Sequence, residues 1–434
     1  QAAVVAAPGD RLHGRRLVAY VVEKSPEAAP VEALRDHLRA RLPEYMVPGV
    51  FVHLEALPLT ANGKVDRGRL PEPGSAVAAA SARTEPGSET ERLLLEVWRD
   101  LLGREPAGVQ ADFFELGGNS LLAVRLMGRI RQRWSLELPL AVLFESATVE
   151  HLAARIDGGV GVERRPSVAI QPGGSRTPFF CVHPVGGNVL CYRELAHALS
   201  AEQPFYGLQS PEAEEAGVED LSALAALYAA EIRRAQPRGP YRVGGWSMGG
   251  VVAFEIARQL EAEGEVVDLV VLIDCLPPGS ERSDPTTEAG FAARFASDLS
   301  GLVGGAEGPS ESELEPLEPR VRLEAILAWG RDQGVLPAEL GTAQLESLYA
   351  MFRRNYQLLV EHRLTGPSRA TLVSLAGEAG AGPASARAWR AWTLAAVEEH
   401  LLPGDHYSLL IHPSLAALAD ALEGRLRLAP GASR

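Results

Sequence analysis

Cysteine is scarce in this 434-residue chain. The three present, Cys181, Cys191 and Cys275, have neither zinc-site spacing nor the even number of a disulfide framework. A metal-stapled or disulfide-stapled scaffold is excluded, and a reduced, cytoplasmic setting is expected. Positive charge is also short: 42 Lys and Arg stand against 56 Asp and Glu, for a formal net charge of −14. A surface of that sign repels a phosphate backbone, so no nucleic acid is expected as a partner. No apolar run approaches the roughly 20 residues that span a bilayer, and no charged-then-apolar leader opens the chain. No membrane partner is expected either. The chain begins at Gln1 and not Met, and it reads as a piece of something longer. What remains is ordinary globular material, 46% hydrophobic and 23% charged, long enough for roughly two to four domains.

The most informative stretch is Tyr241-Arg-Val-Gly-Gly-Trp-Ser-Met-Gly-Gly250. A β-leaning run, Tyr241 to Val243, meets Gly-x-Ser-x-Gly (Gly245 to Gly249), and a helix-forming run, Val251 to Glu261, follows. Strand, sharp turn and helix together make that pentapeptide a nucleophile elbow, whereas alone it is an ordinary Gly-rich turn. The glycines suit a strained backbone packed against its neighbours. The helix start turns free N–H groups toward any oxyanion beside Ser247, the Met248 N–H first among them. Upstream, the strand-like Phe179 to His183 runs into His183-Pro-Val-Gly-Gly187, a loop of the kind that gives α/β-hydrolases their other oxyanion donor. His183 precedes the elbow and is read as orienting that loop, because the base of such a triad follows the nucleophile.

An acid and a base follow in the required order. Val266 to Ile273 has the composition of a buried parallel strand, and Asp274 ends it, at the sheet edge where open α/β sheets build sites. Asp274 is favoured over a merely strand-ending residue, and over Asp268 and Asp405 as acid. His406 stands on the turn Pro403-Gly-Asp-His just past the strand-like Val397 to Leu402. It is better placed than His362, His400 or His412 to take and return the Ser247 proton. Between them, residues 281 to 363 turn helical (Phe291 to Leu299, Glu318 to Trp329, Ala343 to Leu359). An insertion of that kind over the site suits a lid.

The first third of the chain is built differently. Arg15 to Val22 and Val50 to Leu57 read as strands, and Pro30 to Leu42 as an amphipathic helix. Lys64 sits in the turn after them and by itself is a solvated turn residue. Residues 75 to 88 form a small-residue linker. Thr90 to Leu102 then places Leu93, Leu94, Val97, Trp98 and Leu101 on one helical face. A second helix, Leu121 to Trp134, follows Gly117-Gly-Asn-Ser120, which taken alone is a capped helix start. A short piece at Pro139 to Phe144 and a helix at Thr148 to Ile156 complete this segment. A second Gly- and Pro-rich linker, 158 to 176, has an early strand beginning within it.

Three stretches resemble parts of nonribosomal peptide synthetases. Leu42-Pro-Glu-Tyr-Met-Val-Pro48 with Asn62-Gly-Lys-Val-Asp-Arg67 resembles the end of an adenylation domain. That resemblance implies that Lys64 would contact a substrate carboxylate and an adenylate phosphate. The large N-terminal subdomain is absent from the sequence, so Lys64 is expected to be idle and no adenylation is expected. Asp112-Phe-Phe-Glu-Leu-Gly-Gly-Asn-Ser-Leu-Leu122 resembles a peptidyl carrier domain, which implies 4′-phosphopantetheine attached covalently to Ser120. Ser167 to Leu428 resembles a type I thioesterase domain, which implies Ser247, Asp274 and His406 as catalytic residues and the backbone N–H groups of Val185 and Met248 as oxyanion hole.

The resemblance implies a multidomain chain. It has a small α+β subdomain (1–74), a linker (75–87), a four-helix carrier bundle (88–157), a linker (158–166) and an α/β-hydrolase with a helical lid (167–434). The implied activity is release of a peptidyl thioester, by hydrolysis or macrocyclisation. The implied partners are upstream condensation and adenylation domains and a phosphopantetheinyl transferase; no metal is called for. Two rival readings are a free-standing esterase or lipase of the same fold and a non-catalytic carrier or docking module.

Overall fold

The computed structural model describes residues 2–8, 15–22, 34, 48, 50–54, 56–58 and 65–70, then 85–428 apart from 104, 115, 119, 137, 160–164, 212–216, 281–284, 304–306, 337–339, 381 and 412. The expected helix at 30–42 apart from residue 34, Lys64, most of the first linker, part of the second and His412 lie outside those residues. The chain divides into two compact units, Gln1–Val162 and Glu163–Arg434.

The first unit opens with a three-stranded sheet of β1 (Ala2–Pro8), β2 (Arg15–Val21) and β3 (Val50–His53), with β2 central. β1 runs antiparallel and β3 parallel to it, with Val5 opposite Val18 and Tyr20 opposite Val52. Val18, Tyr20, Val52 and Leu57 form its buried core. The sequence reading missed β1 and ran β3 on to Leu57. The chain leaves the sheet after His53, yet Leu57 still packs on its face.

Four helices follow, Glu89–Leu102, Ser120–Trp134, Val142–Glu145 and Val149–Asp157. The first starts where Ser88 and Glu91 form a reciprocal capping box and stops at Gly103, whose φ of 67° is left-handed. Its buried face is Leu94, Val97, Trp98 and Leu101. Trp98 meets Phe113 edge-to-face at 5.2 Å. The Phe113 N–H donates to Ala147 O at 2.7 Å, which ties the loop before Ser120 to the helices around it.

The second unit holds a seven-stranded sheet among the described residues, in the order β10-β9-β8-β7-β5-β6-β4. The strands are β4 (Ser167–Gln171), β5 (Phe179–Val182), β6 (Phe205–Leu208), β7 (Tyr241–Trp246), β8 (Val267–Ile273), β9 (Thr371–Gly377) and β10 (Val397–Leu402). All pair in parallel except β4 with β6. From β5 the chain crosses first to β6 on one side and then back to β7 on the other. That reversal opens a crevice at the carboxyl ends of β5 and β7, where ligands bind in such sheets. β7 is buried along its whole length. The helices Glu288–Val303, Glu311–Leu314, Pro319–Asp332 and Thr342–Glu361 form the insertion between β8 and β9.

Candidate active site

Ser247 follows β7 directly and has φ 56°, ψ −123°. Its N–H donates to Ile273 O at 3.0 Å, so the β7–β8 ladder extends one step beyond the pair Trp246–Ile273. The next residue, Met248, begins the helix Met248–Ala262, and its N–H is one of the four that no helical carbonyl can reach. The turn needs its glycines. A Cβ on Gly245 would collide with the backbone of Gly249, and one on Gly249 with the Val182 carbonyl of β5. The first turn of the helix therefore lies against the end of β5. A left-handed φ on a non-glycine residue costs on the order of 1–3 kcal/mol. Among the described residues only Ser135, Ser247 and Asp274 show one, and two of these three are candidate catalytic residues.

Asp274 ends β8 with φ 42°, and its N–H donates to Leu375 O at 2.8 Å. The side chain is 1% exposed. Its Oδ1 accepts from the Gly377 N–H at 3.0 Å, and its Oδ2 lies 2.7 Å from His406 Nδ1. The following turn is held by two donors on the Cys275 carbonyl, Ser385 Oγ at 2.7 Å and Trp389 Nε1 at 2.9 Å. A carboxylate accepts, so the neutral His406 ring carries its proton on Nδ1 and leaves Nε2 as a base.

His406 stands on the turn after β10, in which Gly404 takes φ 119°. Asp405 Oδ1 accepts from the N–H groups of Tyr407 and Ser408 at 3.1 and 2.9 Å. The hydrogen bonds from Ser408 hold its carboxyl below the usual range. Trp246, next to Ser247, donates its indole N–H to His406 O at 3.0 Å, and the two rings lie 5.0 Å apart. That contact brings the histidine turn to the elbow. The competing candidates are engaged elsewhere. Asp268 pairs with Arg242 at 2.9 Å, Asp405 builds its own turn, and His362 follows the helix Thr342–Glu361 as its C-cap.

The loop after β5 is fastened from several sides. His183 is fully buried, with Nδ1 2.6 Å from Pro184 O and Nε2 2.8 Å from Tyr228 Oη. Burial lowers its pKa to about 4, so the ring is neutral. Pro184 O can only accept, which puts the one ring proton on Nδ1, while the Tyr228 hydroxyl beside Nε2 also donates to Gln209 O at 3.0 Å. Gly187 N–H also donates to Pro184 O, at 2.9 Å. In a trans peptide the N–H points opposite to the C=O, so fixing Pro184 O aims the Val185 N–H. Tyr192 Oη donates to Val182 O at 2.7 Å and accepts the Trp246 N–H at 2.9 Å, bolting the end of β5 to the elbow.

Ser247, Asp274, His406, Val185 and Met248 thus all sit at the carboxyl edge of one sheet. Ser120 is in the first unit, as the first residue of the helix Ser120–Trp134. The supporting groups Trp246, Tyr192, Ser385 and Trp389 were not foreseen from the sequence, because nothing in their spacing marks them. No group of three or more His, Cys, Asp or Glu residues able to hold a metal occurs among the described residues.

A thioesterase domain model matches residues 177–426, a phosphopantetheine attachment site model residues 92–156, and an AMP-binding enzyme C-terminal domain model residues 1–64. Chondramide synthase of Chondromyces crocatus is 33% identical over 97% of this chain and 11% of its own length. A dimodular nonribosomal peptide synthase of Bacillus subtilis is 41% identical over 62% of this chain and 11% of its own. The chain therefore spans about a tenth of the length of these two relatives. The crystal structure of a four-domain nonribosomal peptide synthetase in its holo form, bound to AMP and glycine, aligns with a TM-score of 0.58 at 29% identity, covering 99% of this chain and 32% of that one. The chain carries the adenylation-tail, carrier and thioesterase segments of a nonribosomal peptide synthetase, and over residues 177–426, more than half its length, it belongs to the thioesterase domain family.

Proposed function

We propose that this chain releases a peptidyl thioester through an acyl-enzyme on Ser247, with Asp274 and His406 completing the triad. The observation that carries the reading is the Asp274 Oδ2–His406 Nδ1 contact of 2.7 Å at the same sheet edge as the strained Ser247. Ser247 Oγ attacks the thioester carbonyl and gives its proton to His406 Nε2. Asp274 holds the ring and stabilises the imidazolium. The backbone N–H groups of Val185 and Met248 receive the oxyanion. As the tetrahedral intermediate collapses, the C–S bond breaks and His406 returns the proton to the leaving thiolate. Water or a nucleophile of the same acyl chain then attacks the Ser247 ester with His406 again as base.

Ser120 heads a 15-residue helix, and the free N–H groups of such a start suit a phosphodiester. We assign 4′-phosphopantetheine to it; when bound, the group supplies the thiol that carries the acyl chain. Covalent tethering then keeps the thioester near Ser247 at an effective concentration on the order of millimolar. We further propose the segment boundaries 1–74, 88–157 and 167–434, with the lid at about 281–363. We propose a cytoplasmic setting, with upstream condensation and adenylation domains and a phosphopantetheinyl transferase as partners. Lys64 would be idle in this reading. The three cysteines are free, and no helix among the described residues is long and apolar enough to cross a membrane.

The test is an intact mass after incubation with coenzyme A and a phosphopantetheinyl transferase. One phosphopantetheine should be gained, and none by Ser120→Ala. No gain on folded wild-type protein overturns the carrier assignment, and soluble esters would then be the substrates to try.

A further inference from the structure

The loop that carries Val185 is also gripped by the lid. Asn355 lies on the last lid helix, Thr342–Glu361, and is fully buried. Its Nδ2 donates to Val185 O at 3.0 Å, and its Oδ1 accepts from Ser210 Oγ at 3.2 Å. Ser210 in turn donates its N–H to Gly187 O at 2.8 Å. The approach of helix to loop is close enough to require a glycine. Gly187 has φ 81°, and a Cβ there would lie 2.8 Å from Met351 Cγ and 3.2 Å from Asn355 Nδ2. The adjacent Arg354 donates to Pro211 O at 3.0 Å, so one turn of the lid helix grips both the loop after β5 and the segment after β6.

We propose that Asn355 is a positioning residue of the oxyanion hole, through which the helical insertion between β8 and β9 completes the site. This rests on the reading of the Val185 N–H as an oxyanion donor. Two peptide planes flank Val185. The one before it is held from the sheet side, by His183 Nδ1 and the Gly187 N–H on Pro184 O. The one after it is held by Asn355, and among the described residues the Val185 carbonyl has no other donor. Rotating a peptide plane moves the φ and ψ of the residue it shares with its neighbour, so an unheld Val185 carbonyl lets the loop swing and its N–H leave its aim. A fully buried amide on an otherwise amphipathic helix is a costly choice unless both its ends are used, and here both are. Electrostatic preorganisation of this kind acts where charge develops, in the transition state and not in the bound substrate.

The test compares wild type, Asn355→Ala, Asn355→Asp and Ser210→Ala with an acyl N-acetylcysteamine thioester and an acyl trifluoromethyl ketone. The ketone forms a tetrahedral adduct: Ser247 Oγ bonds its carbonyl carbon, the serine proton passes to His406, and the carbonyl oxygen becomes the oxyanion. Asn355→Ala should lower kcat about 10- to 100-fold with KM within about twofold, and weaken the ketone by the same factor as kcat. Asn355→Asp keeps the shape and the Ser210 acceptor but removes the donor, and should lose as much. Ser210→Ala removes only the group that orients the amide, and should show a smaller loss of the same pattern. Unchanged kcat in folded Asn355→Ala, or a fall in kcat with unchanged ketone affinity, overturns the inference. If Asn355→Ala does not fold, unchanged kcat and ketone affinity in Ser210→Ala overturn it instead. Wild-type protein indifferent to the ketone would sink the oxyanion-hole reading itself, whereas inhibited wild type with unaffected variants sinks only the role of Asn355.

Discussion

Two serines in this chain stand at helix starts, and the proposed function gives them opposite purposes. Ser120 opens its helix after a Gly-rich turn anchored by Phe113; a Cβ on Gly118 would strike that ring. Ser247 also precedes a helix, but its backbone is forced to φ 56° between two buried strands, and Tyr192, Trp246, Asp274 and His406 are fastened around it. A serine that another enzyme modifies needs an accessible helix start and borrows its chemistry. A serine that attacks by itself needs stored strain and aimed partners, which a folded core must hold in place. The shared sequence signature, Gly-x-x-Ser against Gly-x-Ser-x-Gly, hides that difference; the surroundings carry it.

The comparison breaks most visibly at the serines themselves. Ser120→Ala should gain no phosphopantetheine by intact mass yet hydrolyse a soluble thioester at the wild-type rate. Ser247→Ala should load normally and lose about 10⁶-fold in kcat for release, as removal of a triad nucleophile does. Loss of both functions in either variant would mean that the two serines do not act separately. Asp274→Asn is expected to keep the fold but let the ring adopt the wrong tautomer, lowering kcat about 10⁴-fold. Steady-state assays from pH 6 to 9 check it, and a loss below tenfold would dismiss Asp274 as the acid.

The smallest effect is one of stability. Burial holds the His183 pKa at about 4 against an ordinary 6.5. Between those values the unfolded chain binds the proton and the folded protein does not. The contribution is therefore full above pH 6.5 and is lost as pH falls toward 4, to at most about 3 kcal/mol. Urea midpoints of His183→Gln should be flatter than those of wild type over that window. Parallel curves would contradict the neutral, buried ring.

The parts of this architecture that were legible in the sequence are the ones written locally. The helix Glu89–Leu102 announces itself by its capping box and apolar face. β8 is a largely apolar run and β7 a β-leaning one that leads into Gly-x-Ser-x-Gly, and the order Ser247, Asp274, His406 follows from chain direction alone. β6 spans four residues, too short for periodicity to mark it, whereas β4 falls where an early strand is expected, inside the stretch 158–176. The groups that hold the site lie far away in sequence. Ser385 and Trp389 reach the Cys275 carbonyl across 110 and 114 residues, and Asn355 reaches Val185 across 170. A lone Asn on an amphipathic helix gives no sign of that before the chain is folded.

The central claim is that an acyl chain delivered from Ser120 passes onto Ser247. Wild-type protein loaded with an acyl-phosphopantetheine should be acid-quenched within milliseconds to seconds, digested and mapped by mass. The acyl mass should leave the Ser120 peptide and appear transiently on the Ser247 peptide before free product accumulates, and Ser247→Ala should retain it on Ser120. Product formed at the wild-type rate by Ser247→Ala, with no acyl mass ever on the Ser247 peptide, would contradict the account.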